Sequence, residues 1–160
     1  MLRFVGALLL ILLLLYLCLL HSRAEERRVR ECEGFLLLVR HIRTQIACFR
    51  TPLPEAIASF ENTALEAAGV LPAARKGGLS LALIHCRARL SLDGESWKTL
   101  VAFADGVGSG FFGEALALCD YTAQELAGVL KRRQSEAPGR TRVGHSLVIC
   151  GGLMLLLLLV

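Results

Sequence analysis

The chain has 160 residues, of which 54% are hydrophobic, and a mean hydropathy of +0.56. An ordinary soluble domain is ~45–50% apolar, and the excess here gathers at two ends, Phe4–Leu20 and Ser146–Val160. Between them lie all 14 acidic residues and 17 of the 18 Lys and Arg, an excess of three positive charges that excludes a polybasic arm and an acidic disordered tail. Aromatic content of 6% is thin for base stacking, so no nucleic acid is expected as a partner. The intervening ~125 residues suffice for one compact domain and not two.

Phe4–Leu20 is a run of 17 residues without a charge, just long enough to cross a bilayer as a helix. A cleaved signal peptide is the alternative, with Ser22 and Ala24 at −3 and −1 of a cut, but an h-region is usually ~7–15 residues. A retained anchor is therefore preferred. The C-terminal run from Ser146 is short for a span, about 22 Å at ~1.5 Å per residue. Extension back to Val143 gives about 27 Å, and local thinning or snorkelling covers the difference from a ~30 Å core. A lipid-anchor signal fits the tail less well, and Asn62-Thr63-Ala64 fails as a glycosylation sequon.

Arg23, Arg27, Arg28, Arg30 and Arg40 follow the first run, and Lys131, Arg132, Arg133, Arg140 and Arg142 precede the second, against Arg3 alone on the other side. That asymmetry orients the middle toward the cytoplasm. The expected organisation is a transmembrane helix over 1–22, a cytoplasmic helical bundle over 23–142 and a second transmembrane helix over 143–160. Cys32, Cys48, Cys86 and Cys119 have no C-x-x-C spacing, which disfavours zinc. The cytoplasmic orientation favours structural core thiols over two disulfides.

Within the middle, Val29, Cys32, Leu36, Val39, Ile42, Ile46 and Phe49 recur at helical spacing. They predict a long amphipathic helix over 24–49, continuous with the first span, with Glu31, Glu33, Arg40 and Arg43 on its solvated face. Thr51-Pro52-Leu53-Pro54-Glu55 ends it and starts the next, with Thr51 as cap and Glu55 suited to the helix N-terminus. Leu53, Ile57, Phe60 and Leu65 form the buried stripe of a second helix reaching Gly69, before a loop over 70–78. A third helix is expected over 79–92, a fourth capped by Asp93, and a fifth over 111–134 with Phe112, Ala115, Leu116, Cys119, Leu126 and Leu130 facing inward. Pro138-Gly139 separates it from the membrane helix. No stretch alternates long enough for a strand, so the fold is expected to be an all-α antiparallel bundle of about six helices.

No chemistry-bearing constellation emerges. Gly108-Ser109-Gly110-Phe111-Phe112-Gly113 matches G-x-G-x-x-G but lacks the strand that a dinucleotide site requires. His21, His41, His85 and His145 are scattered, and no serine lies in a G-x-S-x-G context. No catalytic, cofactor or metal site is expected.

Thr51–Ala56, Gly78–Ala82, the stretch from Leu100 to Ser109 and the tail Gly151–Leu158 stand in the order and spacing of a known family. Together they resemble stage III sporulation protein AB along essentially the whole chain. The chain departs from that family where Gly110 and Phe111 follow Ser109 in place of an acidic residue. The resemblance implies a bundle like the cytoplasmic domain of type II secretion system protein F. It further implies a non-enzymatic membrane component of the channel between mother cell and forespore in spore-forming bacteria. Implied partners are the secretion-type ATPase stage III sporulation protein AA, other channel components, the lipid bilayer and a second copy of the chain. The implied location is the mother-cell-derived membrane around the forespore. Candidate partner-surface residues are Arg40, Arg43, Thr51, Pro52, Leu53, Pro54 and Glu55. The alternative is a secreted or lipid-anchored surface protein with a cleaved signal peptide and two disulfides.

Overall fold

The structure is a computed structural model describing the backbone of residues 2–108 and 111–159, with side chains for Gly6, 12–13, 16–17, 19–20, 22–108 and 111–135. Among the described residues there are seven α-helices and no strand. They are α1 (Leu2–Thr44), α2 (Leu53–Ala58), α3 (Thr63–Ala67), α4 (Val70–Gly77), α5 (Leu79–Cys86), α6 (Gly94–Gly106) and α7 (Phe112–Leu159). The chain divides into two compact units, residues 1–26 with 132–160, and residues 27–131.

In the first unit, α1 and α7 are joined by an ion pair between Arg133 Nη1 and Glu25 Oε2 at 3.3 Å. Among the described residues no helix is long and apolar enough to cross a membrane. The expected spans fall largely (1–22) or wholly (143–160) on side chains outside the described residues. The helix α7 runs unbroken through positions 138–139, so the separation expected at Pro138-Gly139 does not occur in the backbone.

The second unit holds the hydrophobic core. From α1 it takes Cys32, Phe35, Leu36, Leu38, Val39 and Ile42, and from α7 Cys119 and Leu126. The two helices run antiparallel: Cys32 Sγ lies 4.0 Å from the Leu126 carbonyl, whereas Arg43, later in α1, meets Asp120, earlier in α7. The stripe expected on α1 is confirmed at Cys32, Leu36, Val39 and Ile42, while Phe49 is 70% exposed. Glu31 is corrected most sharply. It is 2% exposed, accepts from Arg27 Nε at 2.8 Å and takes the Ser91 amide at 2.7 Å. Phe35 and Leu38, four and seven residues on, turn the buried face toward it.

The expected second helix is two. After Ala58 the chain breaks, and Asn62 Oδ1 accepts from the amides of Ala64 and Leu65, both at 3.1 Å, starting α3. Arg75 of α4 donates to the Phe60 carbonyl at 2.8 Å, tying the break to the next layer. Residues 70–77 form a helix where a loop was expected. Pro72 is its third residue, where the amide has no intrahelical partner to lose. Gly69, at φ +82°, admits the chain into that helix. Helix α4 packs against α2, α3 and α5, and α5 against α6.

The third helix stops at Cys86 and gives way to a short 3-10 turn, Arg87–Arg89, then extended backbone at Leu90. Leu79, Leu83 and Cys86 are buried, whereas Leu81 and Ile84 are exposed. Asp93 caps α6 as predicted, its Oδ1 accepting the Ser96 amide at 3.3 Å. Of the residues assigned to the inner face of α7, Ala115, Cys119 and Leu126 are buried, and Phe112 is exposed. Three of the four predicted core thiols, Cys32, Cys86 and Cys119, are buried; Cys48 is exposed, and none of the four is in a disulfide.

Candidate partner surface

The candidate residues cluster where α1 ends. The helix gives way to a π turn over Gln45–Phe49, and Arg50 takes a left-handed conformation, φ +52° and ψ +31°. The Arg50 and Thr51 amides donate back to the Ile46 and Gln45 carbonyls, both at 3.2 Å, closing the helix end. Pro52 and Pro54 make further winding impossible. Pro52 is the residue before α2, and Pro54 and Glu55 lie in its first turn. Thr51 does not cap that helix; its hydroxyl donates to Gln45 Oε1 at 3.1 Å. The cap position belongs to Pro52, which offers no side-chain acceptor.

Arg40 is exposed on the last turns of α1. Arg43 is half-exposed and held across to α7: its Nε and Nη2 reach the two Asp120 carboxylate oxygens at 2.5 and 3.2 Å. That bond, then the carboxylate's charge, pushes the guanidinium further above its ordinary value. Arg43 is thus a bidentate clamp between α1 and α7 and not an ordinary solvated arginine. Leu53 is half-buried and packs on the core, while Pro52, Pro54 and Glu55 are exposed.

Periodicity missed the apolar part of this surface. Phe111 is 84% exposed and Phe112 half-exposed, and the Arg50 guanidinium sits over the Phe112 ring at 5.9 Å from its centroid. Phe49 and Phe112 look like core residues by spacing, but the π turn rotates Phe49 off the buried stripe. The bundle end therefore presents exposed phenylalanines beside arginines and prolines, the composition from which interface hot spots are built.

Chemistry-bearing groups do not converge. Among the described residues no cluster of His, Cys, Asp and Glu could hold a metal ion. His41 Nε2 lies 3.1 Å from Ser59 Oγ, which also donates to the Ala56 carbonyl. The G-x-G-x-x-G run covers the connection between α6 and α7 and the first two residues of α7, and its Ser109 and Gly110 lie outside the described residues. Burial pushes the Cys119 thiol up to about 11, helped by the Asp120 charge and opposed by Arg43.

The model of the family stage III sporulation protein AB matches residues 3–160. The chain belongs to this family. Membership covers both apolar ends and the whole bundle, and identifies a protein of the third stage of sporulation. No curated protein and no solved structure matches the chain.

Proposed function

We propose that the chain is a non-enzymatic membrane-platform component of the channel between mother cell and forespore. Its two apolar ends span the membrane, and its bundle faces the mother-cell cytoplasm and docks the ATPase stage III sporulation protein AA. Family membership across residues 3–160 is the observation that carries this reading. The distribution of Lys and Arg around the two apolar runs supports the orientation. The bundle end around Phe49, Arg50, Pro52, Pro54, Glu55, Phe111 and Phe112 is the docking surface, with Arg40 at its edge. Arg43 acts through Asp120 to fix α1 against α7 beneath it.

The test is capture of purified ATPase by the full chain in nanodiscs. Phe49→Ala combined with Phe112→Ala, and Arg40→Glu alone, should each weaken capture at least tenfold. Arg89→Gln, remote from that surface, should leave capture in discs of neutral phosphatidylcholine unchanged. No capture by the wild-type chain, or equal capture by all variants, contradicts the docking role.

A further inference from the structure

The opposite end of the bundle brings together basic residues that lie far apart in sequence. Arg27 Nη2 donates to the Arg89 carbonyl at 2.8 Å, and the same arginine's Nε holds Glu31. This pins the turn Arg87–Arg89 to the start of the α1 segment of the bundle. Arg87 stacks over Trp97 at 4.5 Å from the ring centroid and reaches the Leu92 carbonyl at 3.3 Å. The contact of Cys32 with the Leu126 carbonyl sets the level of α7. Five residues back along α1 is Arg27 and five onward along α7 is Lys131, so both move about 7.5 Å in the same direction at ~1.5 Å per residue. The exposed side chains of Arg27, Arg87, Arg89 and Lys131 thus belong to one end of the bundle. Two of its acids are engaged internally: Glu31 is buried against Arg27 and the Ser91 amide, and Asp93 caps α6.

Chain connectivity says what such an end can meet. Arg27 follows Leu20, the last residue of the first apolar run, by seven positions, and Lys131 precedes Val143 by twelve. Seven residues span at most about 25 Å even when fully extended. We infer that this end, Arg27 with the turn Arg87–Arg89 and Lys131, is a docking surface for the anionic headgroups of the bilayer that the apolar ends occupy. The inference rests on the membrane-spanning reading. It adds a contact that neither apolar end makes, through a turn some 60 residues from either. Guanidinium and ammonium groups supply the charge, and the stacked Arg87 presents its guanidinium edge to phosphate oxygens.

The full chain is inserted into nanodiscs of phosphatidylcholine, or of equal parts phosphatidylcholine and phosphatidylglycerol. Backbone hydrogen exchange is then read at 87–92, with fluorescence of Trp97, the chain's single tryptophan. Anionic discs should slow exchange over 87–92 at least fivefold and shift Trp97 emission, and about 0.5 M salt should erase both effects. Arg89→Gln keeps the carbonyl that Arg27 uses, and Lys131→Gln changes only an exposed side chain. Each should lower the docked-to-undocked ratio about fivefold, and the pair about 25-fold. Identical exchange in the two disc types overturns the inference and leaves the spans standing. Failure of the chain to insert overturns both. Protection reproduced by millimolar inorganic phosphate in phosphatidylcholine discs reassigns the site to a free anion and overturns the lipid assignment.

Discussion

Replacing Glu31 with alanine tests whether a buried carboxylate ties the α5–α6 connection to α1. Glu31 is 2% exposed and accepts two bonds, from Arg27 Nε at 2.8 Å and from the Ser91 amide at 2.7 Å. Hydrogen bonds to a charged group contribute ~1.5–3 kcal/mol each. The Arg27 side chain is 55% exposed, so it recovers water when its partner is lost, and its share falls to about 1 kcal/mol at most. The Ser91 amide is only partly exposed and is left without an acceptor, a cost of ~1–3 kcal/mol. The sum is a loss of about 2–4 kcal/mol, to which only part of Arg27 contributes. For a domain near 100 residues this lowers the midpoint by about 10–30 °C. Glu31→Gln keeps one acceptor for Ser91 but turns a donor or a neutral oxygen toward Arg27, and should cost about half as much. Thermal unfolding of the full chain in detergent, followed by Trp97 fluorescence, gives both values. A midpoint for Glu31→Ala within a few degrees of wild type, or for Glu31→Gln below Glu31→Ala, refutes the latch.

Other variants probe separate links. A Cβ on Gly34 would lie 2.9 Å from Asn62 Oδ1 and 3.1 Å from Leu65 Cγ, striking the cap that starts α3. Gly34→Ala should therefore destabilise by about 1–3 kcal/mol despite its gain in helix propensity. Gly106→Ala meets only the end of the Leu118 side chain and should cost less in the same urea titration. Asn62→Ala removes the acceptor of two amides and should cost about 1 kcal/mol in that titration. For Cys119, the folded thiol titrates near 11 against an ordinary 9.0. Its contribution is complete below pH 9 and is lost as pH rises toward 11, a decline of about 2–3 kcal/mol. Cys119→Ala should flatten the alkaline limb of stability against pH relative to wild type; parallel limbs would remove the thiol from that account.

The helical class was legible because apolar residues recur every three or four positions through most of the bundle. Asp93 was legible as a cap because an acid directly precedes a helical stripe. What escaped had a local cause. Pro72 and Gly77-Gly78 look like breakers, yet a proline in the first turn of a helix breaks nothing. Asn62 sits inside an apparently continuous stripe, and only its side-chain bonds reveal the restart at α3. Glu31 was assigned to water because charge outweighed phase, although Phe35 and Leu38 set the phase correctly. The site followed the same pattern. The proline corner is written in the sequence, whereas the exposure of Phe49 follows from a π turn, and the engagement of Arg43 from an aspartate 77 residues away.

The proposed topology places the bundle on the cytoplasmic side of a membrane that the chain crosses twice, and Cys48 offers the most direct test. It is the exposed thiol of the bundle, with Cys32, Cys86 and Cys119 buried. Cells expressing the full chain are treated with a membrane-impermeant maleimide before and after permeabilisation, and adducts are mapped by peptide mass. A Cys48 adduct found only after permeabilisation, with the buried thiols protected until denaturation, is the result this topology requires. A Cys48 adduct formed on intact cells contradicts it.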